Sequence, residues 1–567
     1  MDVNTLKVER TIGGSTWING LILGAIGVLV ISIVVLSCVP PISKDALVHD
    51  LAVPKLYLDH GGMYEIPSMS FSYYPMNLDL LYVIPLYFGQ DIVPKFIHFV
   101  FALLTAWIIF SYLKVRTNIT FGVLGVLFFL SIPIIVKLST TVYVDLGVIF
   151  FSTASVLLLF KWIEYGFHFG PLVLSAVSCG LAMGTKYNGL ITFLLAALLV
   201  PFSYSRYSRK GQNRFFNALG YTAIFCLLAL TVFSPWMIRN YHWKGNPIYP
   251  LYQNWFGLSK HGSIRVVDQK AQGQKMDRGV FTYRNVIYKE KWWEIALLPI
   301  RIFYQGKDGD PQHFDGKLNP FLLILPIFAF YRTREGPDQV KREKGILLIY
   351  SLLFFFFAFF TQDLRIRYVS PIIPALVILS ILGLETIHKA ALAIKTETAR
   401  DISLAVVGLL VIFSMTFNVN YLIDQFRGIQ PFVYLKGEIS RDDYIARHRP
   451  EYPAMLYINK HLPQDSLILF VFLGKRGYYC DRPYIVSGES RMRRLFQKTE
   501  TPEEILKAFK RQGLTHLVIC VPIFSRWIDA NFDTEKKKII TELFTKHIKT
   551  LYHENGFSVS IIKYPLA

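Results

Sequence analysis

Apolar runs of about 20 residues recur along this chain, the length that a helix needs to cross a bilayer core. Eleven are expected, near 17–39, 92–113, 119–137, 143–162, 170–185, 188–204, 215–238, 319–331, 345–361, 367–385 and 402–420. The short polar loops between them carry basic residues on alternate turns. With the N-terminus inside, one side collects Lys7, Arg10, Lys114, Arg116, Arg206, Arg209, Lys210, Arg214, Arg332, Arg334, Lys341, Arg342, Lys344, Lys389, Lys395 and Arg400. That asymmetry marks cytoplasmic loops, and an odd number of spans then puts the C-terminus on the other face. No convincing internal repeat is present.

Three larger polar regions are expected on that outer face. They are the first loop, 40–91, a second loop, 239–318, and the tail, 425–567. Within the second, "KWWEIALLPIRIFY" reads as an interfacial helix with its tryptophans at headgroup level. The tail changes texture. "SLILFVFLG" and "THLVICV" read as buried strands, and "TPEEILKAFKRQG" as a helix capped by Thr501 and ended by Gly513. The fold class is therefore mainly α, a polytopic transmembrane bundle over 1–424 followed by a small extracytoplasmic α/β domain over 425–567.

Composition agrees. Of 567 residues 53% are hydrophobic, and the mean hydropathy is +0.37, more than a soluble core of this size requires. A net charge of +20 would suggest nucleic acid in a soluble protein; here basic loops facing anionic lipid account for it, and no nucleic-acid motif occurs. The run Trp17–Val39 is too long for a signal-peptide core and reads as a retained span. Of five cysteines, Cys38, Cys179 and Cys226 belong to apolar runs, while Cys480 and Cys520 lie in the tail with a spacing that neither requires nor excludes a bond. No CxxC or His/Cys metal pattern is found, so no metal ligand is assigned.

The candidate chemistry gathers on the outer side. Asp45 and Asp50 follow the first span, and Asp145 opens the fourth. Lys186 and Tyr187 occupy the turn in "GLAMGTKYNGL". Arg239 ends the seventh span. Asp363, Arg365, Arg367 and Tyr368 lie at the outer start of the tenth in "TQDLRIRYVSPIIP". Each has a plainer explanation: Arg239 and Arg367 can snorkel to headgroups, Lys186 can cap a turn, Asp145 can cap its helix, and Asp50 with His49, Asp59 and His60 can be loop surface. Ionisable groups at membrane depth are costly, however, and one-sided clustering of both signs indicates a cavity. There a carboxylate can deprotonate an acceptor hydroxyl, and fixed cations can hold a lipid phosphate as leaving group.

These motifs, in this order, resemble the GT-C superfamily of integral-membrane glycosyltransferases. The closest resemblance is to the bacterial branch related to protein O-mannosyltransferases and lipid A aminoarabinose transferases. "KDALVHDLAVPKLYLDHGG" supplies the first-loop acid Asp45 and Gly61, and "SYYPMNLDLLY" the later segment. "VYVDL" supplies the second acid, Asp145. "GLAMGTKYNGL" and "RYVSPIIPALVIL" resemble the turn and the late span, and "FDGKLNPFLLILP" resembles bacterial members. Ala46 stands where the family has a glutamate after the first acid, which breaks the acidic pair a divalent metal would use and leaves Asp50 as the alternative acid.

The resemblance, over about 10–420, implies sugar transfer from a polyprenyl-phosphate donor to a hydroxyl on a glycan, lipid or protein. Asp45 would be the base and Asp50 the second choice. Asp145 would position the acceptor or a basic partner, and Lys186, Tyr187, Arg239, Arg365, Arg367 and Tyr368 would bind the lipid phosphate. No cofactor beyond the lipid-linked sugar is assigned; a divalent metal stays open, with no motif that supports it, and the expected location is a bacterial inner membrane. A transporter or a polymerase of lipid-linked glycans is the alternative; transporters usually carry repeats and midplane charges, which this sequence lacks.

Overall fold

A computed structural model describes residues 16–208, 213–256, 279–331, 337–360 and 364–565 of the chain. Lys7, Arg10, Arg209, Lys210, Arg332, Arg334 and Asp363 lie outside the described residues.

Every expected span coincides with helix. Among the described residues seven helices are long and apolar enough to cross a membrane: Thr16–Ser37, Val93–Arg116, Asp145–Glu164, Gly189–Tyr207, Arg214–Lys244, Ile366–Leu392 and Glu397–Ile429. The expected span 119–137 is two helices, Ile119–Ser131 and Pro133–Ser139, bent by 68°. Pro133 explains the break, since it lacks an N–H and disfavours helical geometry at Ile132, whose ψ is 130°. Counted as one span, the pair brings the total to eight. The other expected spans are helices with less reach: Phe169–Thr185 has 17 residues, Phe321–Phe328 has 8, and Asp338–Phe359 has 22 but begins with two charged turns.

The bundle has two distinguishable ends. At one, Arg116 donates to Glu343 at 2.9 Å and approaches Glu164 at 3.3 Å, so three loops expected on one side meet there. At the other lie the first loop, the Lys186 turn and the start of the Ile366–Leu392 helix. The sequence "KWWEIALLPIRIFY" forms two short helices, Trp292–Ala296 and Leu298–Tyr304, separated at Leu297, with Trp292 and Trp293 exposed.

The tail carries a five-stranded sheet of order β2-β1-β3-β5-β4. Its strands are β1 Ile468–Val471, β2 Tyr484–Ser487, β3 His516–Cys520, β4 Ile548–Glu554 and β5 Phe557–Ile562. The first three pair in parallel and the last two antiparallel. Both faces are covered. Leu469, Val471, Leu517 and Ile519 pack under Phe509 and Trp527, while Ile468, Phe470 and Val518 pack against Met455 and Ile458 on the other side. Two-sided burial is why these strands read as continuous apolar runs. The helix Pro502–Arg511 is capped by the Thr501 hydroxyl, and Gly513 follows at φ 71°. Cys480 and Cys520 are both buried free thiols.

The tail is fastened to the first loop. Lys55 donates to the Tyr478 and Cys480 carbonyls at 3.0 and 3.3 Å and to Asp481 at 2.6 Å. Tyr479 donates to the Pro41 carbonyl, Arg449 to that of Ile42, and the Tyr478 amide to that of Leu47. Arg441 pairs with Asp91 at 2.5 Å.

Candidate active site

The first loop leaves the bilayer through a local irregularity. Ala46–Asp50 forms a π-helical turn, closed by the Leu51 amide on the Ala46 carbonyl at 2.9 Å. On an α-helix Asp45 and Asp50 would point about 140° apart. The i→i+5 turn brings positions five apart toward one side, and both aspartates line a single cavity of about 660 Å³. Lys44, His49, Asp79, Tyr143, Asp145, Lys186, Arg365, Arg367 and Tyr368 line it too, as do Gly474 and Lys475 from the tail.

Charges within the cavity are paired. Arg367 donates directly to Asp45, and its guanidinium lies 5.3 Å from the rings of both Tyr143 and Tyr368. Its Nε is buried with no hydrogen-bond partner among the described residues. Lys186 donates to Asp145 at 2.6 Å and sits 5.4 Å from the Tyr368 ring. Burial pushes the Asp45 carboxyl up, but the charges of Arg367 and His49, the hydrogen bond from Arg367 and the charge of Lys186 outweigh it, holding it at about 2.

The Lys186 turn depends on two glycines. A β-carbon at Gly189 would overlap the Ala182 carbonyl, and one at Gly184 would overlap Asn77. The two glycines let the helix Phe169–Thr185 reverse into the next while packing on the first-loop region, and Lys186 is thereby placed opposite Asp145. Asn188 fixes the far side by donating to the Tyr368 carbonyl at 3.0 Å. Asp145 opens its helix but makes no capping bond; its carboxylate is committed to Lys186.

Asp50 is differently placed. It is 2% exposed, 3.1 Å from His49, and beside Asp79. Burial, then the charge of Asp50 and a hydrogen bond with it, raise Asp79 well above the usual carboxylate range. His49 is raised by Asp50 and Asp45 against the effect of its burial. Arg365 reaches the cavity wall but pairs with Asp315 at 3.1 Å, in a network with Lys137. The Tyr187 hydroxyl donates to the Tyr249 carbonyl and accepts from Asn240, bracing the wall. Arg239 stands behind that wall, between Trp236 and Trp243, donating to the Tyr74 carbonyl. Among the described residues no group of three or more His, Cys, Asp or Glu is arranged to hold a metal.

Three contributors escape a reading of the sequence. Asp79 carried a signal, an acid inside the apolar stretch "MNLDLLY". Tyr143 had only its nearness to Asp145. Lys475 had none, because nothing local indicates that the tail reaches the cavity.

The described residues form a helical membrane bundle with paired charges around a cavity at one end, joined to a small α/β domain. Residues 88–238 match the PMT_2 family, described as dolichyl-phosphate-mannose-protein mannosyltransferase. Across 96% of this chain the fold is that of ArnT from Cupriavidus metallidurans. The apo crystal structure matches with TM-score 0.56 at 14% identity, and the undecaprenyl-phosphate-bound one with 0.56 at 13%, each over 99% of its own chain. The archaeal oligosaccharyltransferase AglB from Archaeoglobus fulgidus, in complex with an inhibitory peptide and a dolichol-phosphate, aligns at TM-score 0.47 and 12% identity, over 96% of this chain and 75% of its own. No curated protein matches the sequence significantly. The chain is a multi-pass membrane protein with the ArnT fold, and its residues 88–238 carry the match to the mannosyltransferase family.

Proposed function

We propose that the protein transfers a sugar from a polyprenyl-phosphate carrier to an acceptor hydroxyl, with Asp45 as general base, at the extracytoplasmic face of the membrane. The observation that carries this reading is the Asp45–Arg367 pair beside Lys186 and Asp145 in one cavity. Arg367 offers an unpartnered, buried Nε to an incoming anion, and Lys186 adds a second cation within the same walls.

A lipid phosphate entering the cavity competes with Asp45 for Arg367. As the guanidinium turns to phosphate, Asp45 loses the charge that holds its pKa near 2, and its basicity rises toward that of an ordinary carboxylate. The base is thus weak without donor and competent with it. Asp45 takes the proton of the acceptor hydroxyl as the oxygen attacks the anomeric carbon. The bond to phosphate breaks with its electron pair on the phosphate oxygen, whose growing charge Arg367 and Lys186 stabilise. Asp145 keeps Lys186 in place. Asp50, tied to Asp79 and His49, is less free to act as base.

The test is transfer from synthetic polyprenyl-phosphate sugars by the purified protein in nanodiscs, wild type against Asp45→Asn. Sugar transfer lost in the variant supports the reading; a wild type that moves the intact lipid-linked sugar across vesicles without breaking it establishes the transporter instead.

A further inference from the structure

A second cavity, larger than the charged one, lies among the described residues. A groove of about 1600 Å³ runs between the first-loop helix Ala52–His60, the helix Asn77–Tyr87 and the tail. The turn at Tyr478–Asp481, which Lys55 fastens, forms part of its wall.

Its chemistry is the reverse of the charged cavity's. Lys55, Arg441 and Lys460 are the basic residues lining it, against six acids. Lys55 is neutralised by Asp481 and Arg441 by Asp91. Asp59, Asp442, Asp443 and Glu554 have no ion-pair partner among the described residues, and Lys460 is the remaining cation. A lipid phosphate is repelled here.

The walls are rich in tyrosine. Tyr457 is stacked between Tyr552, at 4.7 Å and 15°, and His461, at 4.4 Å and 24°, the middle of a three-ring column whose outer faces belong to Tyr552 and His461. Tyr57, on the opposite wall, is 4% exposed, and its hydroxyl has no hydrogen-bond partner among the described residues. Flat aromatic faces take the apolar face of a sugar ring. Ionised carboxylates only accept, and a row of them matches the hydroxyl donors of a polyhydroxylated chain through charge-assisted bonds. A volume of this size holds several sugar rings.

We infer that this groove is a carbohydrate-binding site for a glycan without negative charge, neutral or bearing amino sugars. Its identification as the acceptor rests on the glycosyltransferase reading; the binding itself does not. Helix Ala52–His60 follows directly on the π-turn that carries Asp50, so the glycan and the transfer cavity share one short element of the first loop.

The experiment is a glycan array of neutral, amino and acidic oligosaccharides, probed with the full chain in phosphatidylcholine nanodiscs. Wild type and Asp45→Asn are expected to bind the same non-acidic glycans, because Asp45 lies in the other cavity. Tyr457→Ala is expected to bind them roughly three- to tenfold less tightly, whereas Tyr457→Phe, which keeps the ring, stays near wild type. The Phe variant separates lost stacking from lost folding. Asp442→Asn/Asp443→Asn should cut amino-sugar binding more than neutral. Binding of acidic glycans alone, binding indifferent to Tyr457→Ala, or no binding at all overturns the inference. Failure of sugar transfer with array binding intact would remove the transferase reading and leave the groove.

Discussion

Asp45 and Arg367 stand 322 positions apart and form a direct ion pair inside one cavity. Base and phosphate ligand, in the proposed reaction, are therefore each other's partner in the free protein. Substrate binding has to divide them, and this makes mutational effects on binding and on chemistry run in opposite directions.

Asp45→Asn keeps the side chain's size but cannot accept a proton near neutral pH. Transfer should fall about 10²–10⁴-fold. Undecaprenyl-phosphate binding, followed by native mass spectrometry, should hold or tighten, because Arg367 no longer has a carboxylate to leave. Asp50→Asn should be much milder. Weaker lipid-phosphate binding in Asp45→Asn, or full activity in both variants and their double, would defeat the assignment.

Arg367→Ala and Lys186→Ala each remove a charge-assisted contact to phosphate, worth about 1.5–3 kcal/mol, or about 10- to 150-fold in donor affinity. Arg367→Lys should recover only part of the loss, since an ammonium lacks the planar fork. Donor KM and kcat unchanged in both alanine variants would return these residues to a structural role.

The pH profile should differ between free and loaded protein. Without donor Asp45 titrates at about 2, so kcat/KM, which reports the free enzyme, should show no acid limb from Asp45 above that value. With Arg367 engaged by phosphate, Asp45 returns toward about 4, and kcat should fall as pH drops through that range. An acid limb in kcat/KM near 4 that disappears in Asp45→Asn would contradict the pairing in the free state.

Lys55 holds the tail against the first loop by donating three hydrogen bonds. Lys55→Met should weaken that attachment by about 1–3 kcal/mol, read as faster hydrogen exchange over 473–482. It should lower kcat while donor binding at Arg367 and Lys186 stays near wild type. Exchange unchanged over that turn would show that the remaining contacts suffice.

Cysteine labelling tests the orientation in the membrane. Positions Lys210 and Lys341 should react from the cytoplasmic side, and Asp45 and Glu503 from the outside. Labelling of the Glu503 position from the cytoplasm would reverse the tail.

What the sequence determined by itself is what local chemistry decides. Twenty apolar residues in succession form a helix because the backbone has no other partner in hydrocarbon. The Thr501 cap, the Gly513 stop and the two buried strands on either side of them follow from short-range preferences in the same way. The one-sided collection of acids and bases was legible too, since each is expensive where it lies.

Only the tertiary structure decided the pairings. A π-turn of five residues re-aimed Asp50 beside Asp45. Gly184 and Gly189 set the turn that delivers Lys186 to Asp145. A bend at Pro133 broke an expected span, and Arg239, expected beside Arg367, fell behind the wall of Tyr74. Lys475 joined the cavity from a domain that reads as independent. Charge pairing depends on a few ångströms of separation, and distances that small between remote residues are set by how helices and loops pack, which no single segment encodes.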